Sequence, residues 1–214
     1  MGSQARRLAV PWGTVLPPRL RFFLAVAALW ASIFGLGLAL DDRTTGPWVL
    51  SAHTLLRLGA LRLPVAEPGD ALRSLTSLFL HSDALHLGGN LAALAVIVAT
   101  WPLSRMRLLA LLLPVAGCLA AVGSMATYSA GLSVGPSGAL CAALTFALCQ
   151  PAGWPQRITW LFLALAFLIG GQLSGGDQGA HVAGLLVGLL LGGLLRLRPR
   201  VGSRLPAQQA PARL

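Results

Sequence analysis

The chain has 214 residues, 56% of them hydrophobic and only 10% charged, where an average soluble domain carries about 25% charged residues. With a mean hydropathy of +0.74, so few charges do not cover the apolar surface of a soluble domain, and disorder, whose mark is low hydrophobicity, is excluded as well. The net charge of +10 does not point to nucleic acid, because all 16 basic residues are Arg and most stand at chain ends or between apolar runs, as membrane proteins place them.

A bilayer core of about 30 Å needs roughly 20 apolar residues in helical form. Residues 1–18 form a basic tail, and 22–40 the first charge-free run. A basic start suits a signal peptide, but this run is long for a signal core and no small-x-small cleavage site follows, so a retained helix is expected. A loop over about 41–82 comes next, where Trp48, Leu50, Leu55, Leu56, Leu58, Leu61 and Leu63 are interleaved with Arg57 and Arg62. That mixture suggests a segment lying partly in the membrane interface, or one packed on the helices. The second span is 84–104. Residues 108–156 are charge-free for too long to be one helix, and turn-rich residues interrupt them at 127–138. They divide into spans near 108–126 and 137–150, the latter short. Spans at 158–174 and 178–195 follow, and the Arg-, Pro- and Ala-rich tail 197–214 reads as disordered. The expectation is an all-α, six-span membrane protein with its membrane domain over 19–196. The aromatics fall mostly at span ends, as interface belts do.

An even number of spans puts both termini on one side, and the charges then sort. Arg6, Arg7, Arg19, Arg21, Arg105, Arg107, Arg157, Arg196, Arg198, Arg200, Arg204 and Arg213 fall on that side. Arg43, Arg57, Arg62 and Arg73 fall on the other, with every acid: Asp41, Asp42, Glu67, Asp70, Asp83 and Asp177. The positive-inside rule then places both termini in the cytoplasm. Cys118, Cys141 and Cys149 are odd in number and lie inside apolar runs, which argues against a disulfide framework or a zinc site.

Polar residues within a membrane cost free energy and usually face the bundle interior. His81 and His86 precede and begin the second span. His86 and Asn90 are four apart, hence on one helical face, and can serve either as inter-helix hydrogen bonds or as donors to a common spot. Ser137 lies in Gly135-Pro136-Ser137-Gly138 at the start of the fourth span, where a Ser is either an ordinary N-cap or a hydroxyl near the positive end of a helix dipole. Ser137, Cys141, Thr145 and Cys149 recur every four residues, and Gly184, Gly188 and Gly192 form a matching small stripe on the sixth span. Such stripes pack closely. If the two meet, His181 arrives beside Ser137, bringing a base to a hydroxyl. A Ser needs such a base to act as a nucleophile, and acyl transfer needs donors for the oxyanion. Ser137 and His181 are therefore the candidate dyad, with His86, Asn90 and the Ser137 backbone N–H as oxyanion donors. Asp177 reads as a solvated loop acid rather than a third member. His53 matches no motif and reads as a surface residue.

These residues resemble the rhomboid family of intramembrane serine proteases, from about Arg73 to Leu195. His81, His86 and Asn90 follow its H-x-x-x-x-H-x-x-x-N pattern, Gly135–Gly138 its G-x-S-G motif, and Ala180, His181, Gly184 and Gly188 its A-H-x-x-G-x-x-x-G motif. The resemblance implies a six-helix bundle open to water from the outer face, with Ser137 and His181 catalytic and His86 and Asn90 at the oxyanion. It implies cleavage in or near the transmembrane segment of single-span membrane proteins, with no metal or organic cofactor. The Gly-rich loop 174–179 would be a flexible cap over the site.

Two positions depart from the family pattern. Leu72 stands where Trp usually precedes Arg73. Cys141 stands where many members carry an aromatic ring on the catalytic His, and it raises the expectation of sensitivity to thiol reagents. The short chain also fits smaller bacterial members, including rhombosortases, and with them a bacterial plasma membrane. The competing readings are an inactive rhomboid-like scaffold that binds transmembrane helices, and a small transporter. With both Ser137 and His181 present and no acid or Arg in any span, the protease is favoured.

Overall fold

The computed structural model describes residues 16–42, 46–65 and 67–197. Most of both tails, with Arg6, Arg7, Arg198, Arg200, Arg204 and Arg213, and also Arg43, lie outside the described residues. Helix α1 (Pro18–Leu40) opens on Pro17 and Pro18, whose fixed φ suits a first turn. The outer segment then folds as α2 (Ala52–Leu58), β1 (Leu61–Leu63), α3 (Pro68–Thr76) and a 3-10 turn over Ser77–Phe79. Next come α4 (Ala84–Thr100), α5 (Met106–Thr127), β2 (Gly131–Ser133), α6 (Ser137–Leu148), α7 (Trp154–Ser174) and α8 (Gln178–Leu197). Strands β1 and β2 pair antiparallel, Leu61 opposite Ser133 and Leu63 opposite Gly131.

Four helical stretches are long and apolar enough to cross a membrane: Pro18–Leu40, Leu103–Thr127, Trp154–Leu173 and Gln178–Leu197. Helices α4 and α6 are apolar but shorter. The chain is thus a mainly helical membrane protein. Large apolar side chains such as Leu36, Val122, Phe162, Ile169 and Leu190 stand exposed on the long helices, a surface that lipid covers at no cost. Helix α4 stops at Thr100 rather than 104 because Pro102 follows.

The core is built around α6. Every residue from Ser137 to Ala147 is buried, as expected of a helix apolar on all sides. Its small side chains let α8 come to backbone contact. A methyl at Gly184 would overlap the Gly138 carbonyl, and one at Gly188 would overlap the Ala142 carbonyl and the Thr145 hydroxyl. The Thr145 hydroxyl donates to the Leu185 carbonyl at 2.8 Å, which ties the two helices across that seam. The two small stripes therefore meet. A second close approach, between Gly123 on α5 and Gly179 on α8, sets the start of α8. Trp30, Trp101 and Trp160 are buried in the core rather than facing lipid; Trp101 caps the end of α4, as the span-end expectation has it, whereas Trp30 lies inside α1. Trp154 and Trp48 are the exposed tryptophans among the described residues.

The basic ends of several helices gather. The Arg19 guanidinium donates to the Trp101 carbonyl at 2.6 Å, Arg105 to the Gln150 side chain, and Arg157 to the Gln150 and Ala152 carbonyls. At the opposite end the outer segment packs inward more than interface residence would require. Leu50, Leu55, Leu61 and Leu63 are buried, leaving Trp48 and Leu72 outside at 62% and 76% exposed. Arg73 donates to the Leu56 and Ala60 carbonyls at 2.8 and 3.1 Å and anchors this segment although Leu72 precedes it. His53 is exposed on α2.

Candidate active site

Ser137 is the first residue of α6. Gly135, at φ +100°, makes the turn into it, a backbone state that side chains disfavour. Its N–H donates to the Ser77 carbonyl at 2.9 Å, fixing the turn to the outer segment. A Cβ at Gly135 would stand 2.7 Å from Cε1 and Nε2 of His86 and 3.5 Å from Nδ2 of Asn90. The structure therefore brings His86 and Asn90 over the backbone two residues before Ser137.

His86 stands in the first turn of α4, which Asp83 caps by accepting the His86 N–H at 2.8 Å. Burial pulls the Asp83 carboxyl upward, but the His86 N–H and the Ser82 hydroxyl outweigh it and hold the group below its ordinary range. Ser82 Oγ lies 2.8 Å from Asp83 Oδ2 and 3.2 Å from His86 Nδ1. Its single proton can serve only one of them. It goes to the Asp83 carboxylate, the nearer and charged acceptor, which leaves Ser82 Oγ able to accept from His86 Nδ1. Asn90 is 1% exposed, and its Nδ2 has no hydrogen-bond partner among the described residues. Buried donors are nearly always paired, so an unpaired one facing Gly135, two residues before Ser137, is a pointer to function. His81 is fully buried against Trp30 and His86, with ring centroids 5.5 and 5.3 Å away. Burial, helped by the nearby His86, pushes its pKa down to about 3, so it is a neutral packing residue.

His181 is the fourth residue of α8. The seam with α6 and the Gly123–Gly179 approach place its Nε2 2.8 Å from Ser137 Oγ, both side chains buried. A hydroxyl and a neutral imidazole so placed can exchange a proton as the oxygen attacks an electrophile. Asp177 is not the solvated acid expected. Its carboxylate accepts the Ala180 N–H at 2.9 Å and the hydroxyls of Ser124 and Ser133. It latches the start of α8 to α5 and β2, through partners too distant in sequence to be seen from its Gly-rich surroundings.

Ser82, Phe167 and Gly171 were not singled out by their sequence context. Phe167 on α7 meets His181 edge-on at 5.7 Å, so the aromatic contact missing at Cys141 comes from another helix. Cys141 is 0% exposed, packed within the core. All three cysteines are free, and no group of three metal-binding side chains gathers among the described residues.

A model of the Rhomboid domain matches residues 68–198. RHOMBOID-like protein 5 of Arabidopsis thaliana is 33% identical over 174 residues, 76% of this chain and 55% of that protein. RHOMBOID-like protein 6, mitochondrial, of the same plant is 28% identical over 165 residues, 71% and 53% respectively. The chain spans about half the length of these curated relatives. The matched region runs from α3 through α8 and contains Ser137, His181, His86 and Asn90, and on that match the chain belongs to the rhomboid family.

Proposed function

We propose that the protein is an intramembrane serine endopeptidase that cuts single-span membrane proteins in or near their transmembrane segment. The observation that carries this reading is the 2.8 Å contact of Ser137 Oγ with His181 Nε2 at the buried start of α6. In the proposed reaction Ser137 Oγ attacks the scissile carbonyl carbon while its proton passes to His181 Nε2. The carbonyl oxygen becomes an oxyanion, for which the Ser137 N–H and Asn90 Nδ2 are the nearby donors, with the His86 ring beside them. Collapse breaks the C–N bond, and His181 returns the proton to the leaving amine. Water, deprotonated by His181, then releases the acyl group and restores the serine. An intact helix hides its carbonyls, so the substrate has to unwind locally before attack.

On this reading all six apolar helices (α1 and α4–α8) cross the bilayer, α4 and α6 being short spans. The membrane domain covers 19–196, and the arginine-bearing ends, with both termini, face the cytoplasm. The test is co-expression with single-span substrates, comparing the parent with Ser137→Ala and His181→Ala. Loss of product in both, with parental thermal midpoints, is expected. An undiminished product from Ser137→Ala would refute the dyad and favour an inactive helix-binding scaffold.

A further inference from the structure

The ring of His181 is held by a helix that supplies neither member of the dyad. Phe167 on α7 approaches it edge-on, with centroids 5.7 Å apart and planes at 60°. One turn further along α7, a Cβ at Gly171 would stand 2.7 Å from both Cε1 and Nδ1 of the same ring. Gln178, at the start of α8, ties the two helices by donating from Nε2 to the Leu168 carbonyl at 2.7 Å. From α6 the ring receives no aromatic support at the position one turn past Ser137, which holds Cys141. Among the described residues His181 Nδ1 is buried without a hydrogen bond of strict geometry, and its polar neighbour on α7 is the Phe167 backbone carbonyl. No carboxylate holds the ring among the described residues, so its rotation is fixed from α7, by the Phe167 ring edge and the backbone beside it.

We propose that α7 sets the orientation of His181, with Phe167 as a positioning residue for the base and Gly171 as the space its ring needs. This rests on the dyad reading above. The imidazole torsion is broad and roughly two-fold, and edge-to-face contact favours one rotation over others. A ring released from Phe167 spends part of its time with Nε2 turned away from Ser137. The serine's reactivity falls in proportion, while the affinity of a reagent for the site does not.

The experiment uses the full chain in detergent and a fluorophosphonate, with labelling at Ser137 located by mass spectrometry. Phe167→Leu should lower kinact by about fivefold, the size expected for one edge-to-face pair, with KI and thermal midpoint at parental values. Phe167→Tyr, which keeps the ring, should restore it. Gly171→Ala should lower kinact by more than Phe167→Leu, although Ala is the better helix former and a purely structural role for Gly171 would give no loss. If Gly171→Ala fails to fold, the Phe167 pair still decides. A parent labelled at Ser137 with Phe167→Leu at the parental kinact overturns this inference and leaves the dyad standing. A parent not labelled at Ser137 overturns the protease reading and this inference with it.

Discussion

The α6–α8 seam and the outer segment between α1 and α4 both border the serine, yet opposite means hold them. The seam has almost no side chains between its backbones. Gly184 and Gly188 bring α8 onto the Gly138 and Ala142 carbonyls, and close dispersion contact does the work. The outer segment is short in regular structure and rich in polar ties. Arg73 caps α2 through two carbonyls, the Thr76 hydroxyl donates to the Gly59 carbonyl at 2.6 Å, and Ser51 donates to Asp41 twice. The Ser137–His181 pair is thus carried by the part of the molecule that tolerates no added volume. The backbone turn beside it, at Gly135, is carried by a part held by directional bonds that can open one at a time.

The sharpest way to break this contrast is to add bulk to the seam. Gly188→Leu should cost more than about 4 kcal/mol, because backbone atoms of Ala142 stand in the way and no flexible side chain can yield. A thermal melt in detergent with an unchanged midpoint would mean that the helices are not in backbone contact. In the outer segment the expected loss is smaller and local. Arg73→Ala should cost about 2 kcal/mol, typical of charge-assisted bonds, and should speed amide exchange over 56–63 while leaving α6 and α8 protected. Equal exchange in both regions would erase the distinction.

At neutral pH the smallest effect belongs to His81, where segment and bundle meet. Its pKa is lowered from 6.5 to about 3 in the folded protein, so below pH 6.5 the unfolded chain takes up a proton that the native ring refuses. Stability from this residue is complete above 6.5 and is lost as pH falls toward 3, at up to about 1.4 kcal/mol per pH unit. His86 and Asp83 stand nearest to it electrostatically. His81→Leu should flatten the acid limb of the thermal-midpoint profile, and a limb of unchanged slope would assign it to other groups.

How much of this could be read beforehand follows from the same contrast. Charge-free runs bounded by Arg marked the helical stretches, because the cost of burying charge is itself periodic along the chain. The four-residue spacing of small residues marked the seam and so brought His181 to Ser137. His86 and Asn90 were readable as neighbours one turn apart. The outer segment left no such trace. Its order depends on single side chains reaching carbonyls 13 and 17 residues away, and on a three-residue strand pairing with β2. Phe167 was one of seven phenylalanines, and only the packing of α7 selects it. Asp177 was misread because the two serines that share it lie 53 and 44 residues distant.

Helix α6 has 12 residues and so rises about 18 Å, against a hydrocarbon layer of about 30 Å. With its far end at Leu148, two residues before Gln150 and its Arg105 and Arg157 contacts, it stops about 12 Å short of the opposite boundary in the proposed orientation. How deep the Ser137 hydroxyl lies is then written as a residue count. One more turn in α6 would lift the hydroxyl by about 5.4 Å toward the surface, and one fewer would sink it by as much.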